Sequence, residues 1–329
     1  MNHCELIHSD QKSGIDASLF AALGCNNNQE LPLAYYRYKL FSEKSIKNRG
    51  GGYLDSLEFN DNKKIKTWFC ADPVHLAVGL NDITLTQQIT DLSGDDIRQC
   101  IQALNQHFEQ DGYQFVAGTK HQWHLLMHSE LMIETTPLNE VIGKNIAPFL
   151  PVSNNLNWKA IQNEVEMILH ALPMNQAREA KGLPTLNSLW FYGAGKSRID
   201  EKDTISHVYG GAENNGEIIA YAAGSQYQQL PDDAATLLNE QAEKVFLILD
   251  QLVDPASYDD VETYQSQLTF IDKYLEPLIK AWDSGKIKLI IDDCNGNLIQ
   301  PIKCPVWKFW AKRSTFPSHI LDSGHKELT

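Results

Sequence analysis

The 329-residue sequence has no apolar run approaching the roughly 18 residues that cross a bilayer, so no spanning helix is expected. Its opening stretch, MNHCELIHSDQKSG, has neither a basic leader nor an apolar h-region, and the expectation is a cytoplasmic protein. Cysteine is scattered. Cys4, Cys25, Cys70, Cys100, Cys294 and Cys304 never form C-x-x-C, which argues for reduced thiols and against a thiolate zinc site. Positive charge is in short supply: 28 Lys and Arg stand against 42 Asp and Glu, a net charge of -14. Most of the surface therefore repels phosphate backbones, and a broad nucleic-acid-binding face is not expected. G-x-S-x-G, H-E-x-x-H, G-x-G-x-x-G and kinase signatures are missing too, which removes support for hydrolases and kinases of those kinds.

What is present is an ordinary globular composition, 43% hydrophobic and 21% charged, in a chain long enough for one or two domains. Ile15–Leu23 reads as a short helix. Tyr36, Leu40, Phe41 and Ile46 give the segment 35–46 an amphipathic helical face, ended by Gly50-Gly51-Gly52. The run TWFCADPVHL predicts a strand stopped at Asp72-Pro73, and ITLTQQI alternates as a strand. Ser93 caps a predicted helix with Ile97, Ile101, Leu104 and Phe108 on one face. Segments 113–118, 121–128 and 131–135 then read as an antiparallel meander, completing an α+β unit over 66–136.

After the Leu150-Pro151 linker, Trp158, Ile161, Val165, Ile168, Leu169 and Leu172 mark a helix stopped by Pro173. Asn175–Lys181 is helical up to Gly182 and Pro184, and Leu189–Tyr192 is a buried strand. The remainder alternates as α/β: strands at 205–209, 245–249 and 287–291, and helices at 216–223, 232–241 and 258–282. The strand–helix–strand unit between 245 and 291 predicts a parallel sheet.

Several clusters carry possible chemistry. Gly193-Ala194-Gly195-Lys196-Ser197 looks like the end of a phosphate loop, but Trp190 stands where that motif needs its first glycine. The alternative is a glycine-assisted turn after the strand. His124 and His128 would share a strand face with His121 opposite, and read as partly exposed strand histidines lacking a third metal ligand. Asp72 could orient His75 at a strand end, or simply serve a turn. Asn175 and Arg178 share a helical face with Lys181 beside them, and could meet an anion or tie the helix to a neighbour. Lys303–Arg313, KCPVWKFWAKR, mixes cations with Trp307, Phe309 and Trp310, as base-stacking surfaces do, but also as a half-buried strand does.

The stretch LPMNQAREAKGLPTLNSLWFYGAGK resembles a segment of archaeal-type cofactor-independent phosphoglycerate mutases. Pro173, Asn175, Arg178, Gly182, Leu183, Pro184, Asn187, Gly193 and Gly195 carry that resemblance. With CADPVHL at 70–76 and ETTPL at 134–138, the chain is more similar still to RpfE-type regulatory proteins, distant relatives of those mutases. The resemblance covers about residues 66 to 295.

It implies an α/β fold: an alkaline-phosphatase-like mixed or parallel sheet core flanked by helices, with a smaller inserted α+β domain. The implied boundaries are 1–65 for the N-terminal part of the core, 66–150 for the insert, 151–185 for a helical junction and 186–329 for the rest of the core. Asn175, Arg178, Asn187, Gly193, Gly195 and Lys196 become candidates for ligand binding or for fixing that junction. Active relatives use two manganese or zinc ions around a serine. This chain departs from them there: no Asp-Gly follows its first strand, Tyr258 replaces the histidine of the element beginning at Asp254, and Cys294 follows Asp293 where histidine is the rule.

The resulting expectation is a non-catalytic binding or regulatory protein with no cofactor, taking a small anionic ligand or a protein partner, and making no membrane contact. An active metal-dependent phosphotransferase using Asp72, His75, Asp254 and Asp293 is the first alternative. A partner of a nucleic-acid-processing enzyme, acting through Lys303–Arg313, is the second.

Overall fold

The computed structural model describes residues 3–8, 33–47, 65–79, 82–131, 133–153, 156–194, 207–210, 216–239, 244–252, 255, 258, 260–292 and 298–299. Within them, eleven strands build two sheets, and the fold is mixed α/β.

The first sheet has the order β11-β10-β1-β9-β7-β8. β7 (His207–Gly210) runs parallel to β8 (Gln226–Gln229) and to β9 (Lys244–Ile248). β1 (His3–His8) lies between β9 and β10 (Ile287–Asp292), antiparallel to both, and β11 (Leu298–Ile299) pairs with β10. The expected β9–helix–β10 unit therefore has parallel strands but not adjacent ones, because β1 occupies the space between them. The adjacent parallel crossover is instead β7–α5–β8, whose short helix is α5 (Gly216–Ala223).

β9 is covered on both faces, which is why its KVFLI reads as a continuous apolar run. Val245, Leu247 and Leu289 pack with Ile271 and Leu278 of α6 (Val261–Asp283). Phe246, Ile248 and Val208 face the other way, onto Ile218 and Ile219 of α5 and onto Leu33, Tyr36 and Leu40 of α1 (Leu33–Lys47).

The second sheet is antiparallel throughout and centres on β2 (Thr67–Val78). β6 (Ser188–Tyr192) pairs along 70–74 of β2. Cys70 is opposite both Tyr192 and His124, and Val74 is opposite both Ser188 and Gln88. It follows that β5 (Trp123–Met127) and β3 (Ile83–Gln88) share the other edge of β2, one after the other. β4 (Tyr113–Ala117) lies outside β5.

Pro73 sits in the gap between those two neighbours. No ladder donor is missed there, and its carbonyl accepts from Ile89 N–H at 2.8 Å. The expected strand stop at Asp72-Pro73 is thus overturned; β2 runs through it.

Side-chain alternation on β2 separates the two layers. Phe69 and Ala71, with Phe115, Trp123, Leu125 and Phe191, face α2 (Gly94–Phe108) and α3 (Trp158–His170) in the largest core. α2 forms where expected. Ser93 and Asp96 make a reciprocal capping box, and Ile97, Cys100, Ile101, Leu104 and Phe108 are buried. Each large apolar side chain of that face contributes about 1.5–3 kcal/mol on full burial.

Pro173 begins the next helix, α4 (Pro173–Ala180), rather than only ending α3, since the first helical position needs no N–H. Gly182, at φ +68°, ends α4 with its own N–H on Glu179 O and that of Leu183 on Arg178 O. The third meander strand expected at 131–135 is reduced to a single bridge, Glu134 with Val152. Thr67 Oγ1 donates to Ser129 O and accepts from Leu131 N–H, which draws the chain off the sheet. The predicted helix at 15–23 and the basic stretch 303–313 lie outside the described residues.

Candidate functional site

On the face of β2 under α1, Cys70 and Asp72 are two residues apart and so point the same way. His124 of β5 and Tyr192 of β6 flank Cys70 on either side. Into this row α1 delivers Arg37, which is 1% exposed among the otherwise apolar contacts of that helix.

Arg37 makes a two-pronged pair with Asp72: Nη2 to Oδ1 at 2.7 Å and Nη1 to Oδ2 at 3.0 Å. Its Nε donates to His124 Nε2 at 3.0 Å, Nη1 to Tyr192 Oη at 3.3 Å, and Nη2 to the Trp123 carbonyl. Asp72 also accepts from Tyr192 Oη–H at 2.7 Å and from Trp123 N–H at 3.1 Å. Four donors thus fill the lone-pair sites of the carboxylate.

Burial works against the charge of Arg37, but the adjacent Asp72 carboxylate more than offsets it and holds the guanidinium charged. Burial pushes the Cys70 thiol up to about 12, and burial with Asp72 nearby raises the Tyr192 phenol. Burial and then Arg37 hold His124 well below the usual imidazole range. Cys70, Tyr192 and His124 are all held in their neutral forms, so the Arg37–Asp72 ion pair stands alone in the cluster. The cluster is a closed neutral unit with no nucleophile presented to solvent.

Of the four catalytic candidates, the two among the described residues, Asp72 and His75, do not form an acid–base pair. Asp72 is 2% exposed and committed to Arg37. His75, three residues on, does not contact Asp72; its Nδ1 donates to Thr185 O at 2.8 Å. An odd spacing on a strand places the two on opposite faces, which corrects the expectation that Asp72 orients His75. Asp254 and Asp293 lie outside the described residues. Among the described residues, no group of three or more His, Cys, Asp or Glu is placed to hold a metal ion.

His124 is fully buried rather than partly exposed, and His121 and His128 fall outside β5. Arg37, His124 and Tyr192 were not singled out as one site by sequence reasoning. A signal existed: an aspartate inside an apolar strand requires a cation, and Arg37 sits in an aromatic helix face.

The junction candidates meet backbone. Asn175 donates to Leu169 O and Leu186 O at 2.8 and 2.7 Å, and accepts from Leu186 N–H at 2.9 Å. Arg178 donates to Pro184 O at 2.6 Å and pairs with Asp91 at 2.8 Å. Asn187 bridges Leu76 N–H and C=O at 2.8 and 2.7 Å, joining the 182–187 loop to the far half of β2. Gly193, at φ +68°, accepts from Ala34 N–H at 3.1 Å and donates to Thr135 Oγ1 at 3.1 Å, so the start of α1 rests on the end of β6. Gly195 and Lys196 lie outside the described residues.

No helix among the described residues is long and apolar enough to cross a membrane. The sequence matches no family model and no curated protein. Solved structures similar to this chain include the following two. The cofactor-independent phosphoglycerate mutase of Thermoplasma acidophilum shares 14% identity at a TM-score of 0.34, over 84% of this chain and 72% of that one. A protein of Pyrococcus horikoshii shares 13% at a TM-score of 0.38, over 83% of this chain and 68% of that one.

Proposed function

We propose that this chain is a phosphoglycerate-mutase-like protein that retains the scaffold, lacks the metal-dependent chemistry, and binds a small anionic ligand or a protein partner in a regulatory role. The observation that carries this reading is the commitment of Asp72. A metal-ligating or catalytic carboxylate needs open lone pairs, and all of those on Asp72 are taken by Arg37, Tyr192 and Trp123 N–H. A guanidinium already fills the position a dication would take beside it.

The sequence adds Tyr258 and Cys294 at the two positions where the resembled family places histidine. Loss of imidazole ligands leaves carboxylates that repel each other without cations, so these residues do not fit a two-metal centre.

The test combines metal analysis of the purified full chain with a mutase assay in added manganese or zinc. The expected result is substoichiometric metal and no interconversion of phosphoglycerates. Stoichiometric tight metal with turnover, abolished by Asp293→Ala, would overturn the reading in favour of a working phosphotransferase.

A further inference from the structure

Arg37 and His124 place a condition on the docking of α1. An arginine only donates, so the 3.0 Å contact from Arg37 Nε requires a lone pair on His124 Nε2, and the imidazole is neutral with its proton on Nδ1. Adding a proton at Nε2 would set donor against donor and cation against cation, with both residues at most 1% exposed.

The Val116 backbone favours the charged imidazole, but burial and then Arg37 outweigh it. On β2, Asp72 is saturated and the Cys70 thiol is held neutral by burial; on β6, the Tyr192 phenol is likewise neutral. From α1, Tyr38 and Phe41 present ring edges at 5.8 and 5.9 Å, and on β4 the residue opposite is Val116. Imidazolium can form only if Arg37 withdraws, and Arg37 is carried by α1. The opposite face of the second sheet packs on α2 and α3 without any residue of α1, so it keeps its own core when α1 leaves.

We propose that α1 is an acid-released clasp, docked on the second sheet only while His124 is neutral and freed by protonation before the sheet itself unfolds. The sign follows from linkage. A free imidazole takes its proton at about pH 6.5, whereas docked His124 is held well below that by burial and then by Arg37, both of which release relieves. The released form therefore binds the proton more readily, and acid favours release. Above the released value docking is at full strength. Below it, the release equilibrium rises up to about tenfold per pH unit, until the docked value is reached.

Hydrogen exchange by mass spectrometry on the full chain, corrected for intrinsic rates, tests this between pH 7 and pH 5. Peptides covering residues 33–47 are expected to lose about tenfold or more of their protection, while peptides over β4, β5 and α2 keep theirs. His124→Gln, which retains an acceptor but cannot titrate, is expected to hold 33–47 protected at pH 5. Arg37→Leu combined with Asp72→Asn, which takes out the ion pair whole, is expected to weaken the pH dependence of that segment and leave only the part due to burial of His124. Unchanged protection of 33–47 at pH 5, simultaneous loss across the sheet, or equal acid sensitivity in either variant would each overturn the proposal. Should one variant not fold, the wild-type profile and the other variant still decide it.

Discussion

Replacing Asp72 by asparagine separates a structural carboxylate from a catalytic one. The change keeps the shape but turns one acceptor oxygen into an NH2 donor facing donors, and it leaves the Arg37 guanidinium buried without a counter-charge. Removing one member of a buried pair costs about 3–5 kcal/mol, because the remaining charge is neither hydrated nor paired. Arg37→Met leaves the carboxylate with only Tyr192 and Trp123 N–H, and a similar loss is expected. Removing both ions removes the unpaired charge, so the double variant should cost less than the sum of the two singles, by about 3 kcal/mol of coupling. Urea unfolding read by tryptophan fluorescence suits this measurement, since Trp123 and Trp190 are buried in the second sheet. With a slope of about 3 kcal/mol per molar, each single variant lowers the midpoint by roughly 1–1.7 M. Singles that each cost under about 1 kcal/mol, or that simply add in the double, would refute the reasoning. An Asp72→Asn protein of undiminished stability that had lost a phosphoryl-transfer activity would place Asp72 in catalysis instead.

Gly193→Ala is expected to destabilise by about 1–3 kcal/mol, since φ is +68° and the new methyl would meet Leu33 Cβ at 3.2 Å and Cys70 Sγ at 3.5 Å; thermal melting at unchanged midpoint would count against it. Asn175→Ala strands the Leu186 carbonyl and N–H in the 3%-exposed niche beneath the 182–187 loop, while the Leu169 carbonyl keeps the Leu172 N–H at 3.1 Å. A loss of about 2–4 kcal/mol should follow in denaturant titration, and a loss below about 0.5 kcal/mol would show that the loop is not pinned there. Cys70 and Cys100, both pushed up to about 12 by burial, should resist alkylation at pH 8 in the native protein and react on unfolding, as read by peptide mapping. Rapid native labelling of Cys70 would contradict the closed site.

What the sequence made legible was local. Ser93 followed by Asp96 and an apolar 3–4 spacing defined α2, Gly182 and Pro184 defined the end of α4, and the run 189–192 defined β6, because caps, glycine turns and period act over a few residues. The partner choices were not legible. Arg37 meets residues 35, 87 and 155 positions away, and periodicity reports which face of a helix is apolar without naming the surface opposite it. The strand order failed for the same reason: nothing in the segment 287–291 indicates that β1, almost three hundred residues earlier, lies against it.

Asp72 shows why a polar residue in an apolar strand admits two readings from sequence. Such a residue either serves chemistry or completes a backbone that the ladder leaves incomplete. Along one edge of β2 the ladder lapses between Cys70, the last partner of β5, and Val74, the first partner of β3. Side chains supply the bonds around that lapse. Asp72 accepts the Trp123 N–H at the start of β5, Arg37 donates to the Trp123 carbonyl, and Gln88 at the end of β3 donates to His121 O at 2.7 Å. Pro73 fits because it has no donor to lose. Once Asp72 is required at the lapse, its charge requires Arg37, Arg37 requires α1 on that face, and its Nε requires a neutral His124. The aspartate that the sequence offers as a catalytic candidate follows from a strand that changes neighbours halfway along one edge.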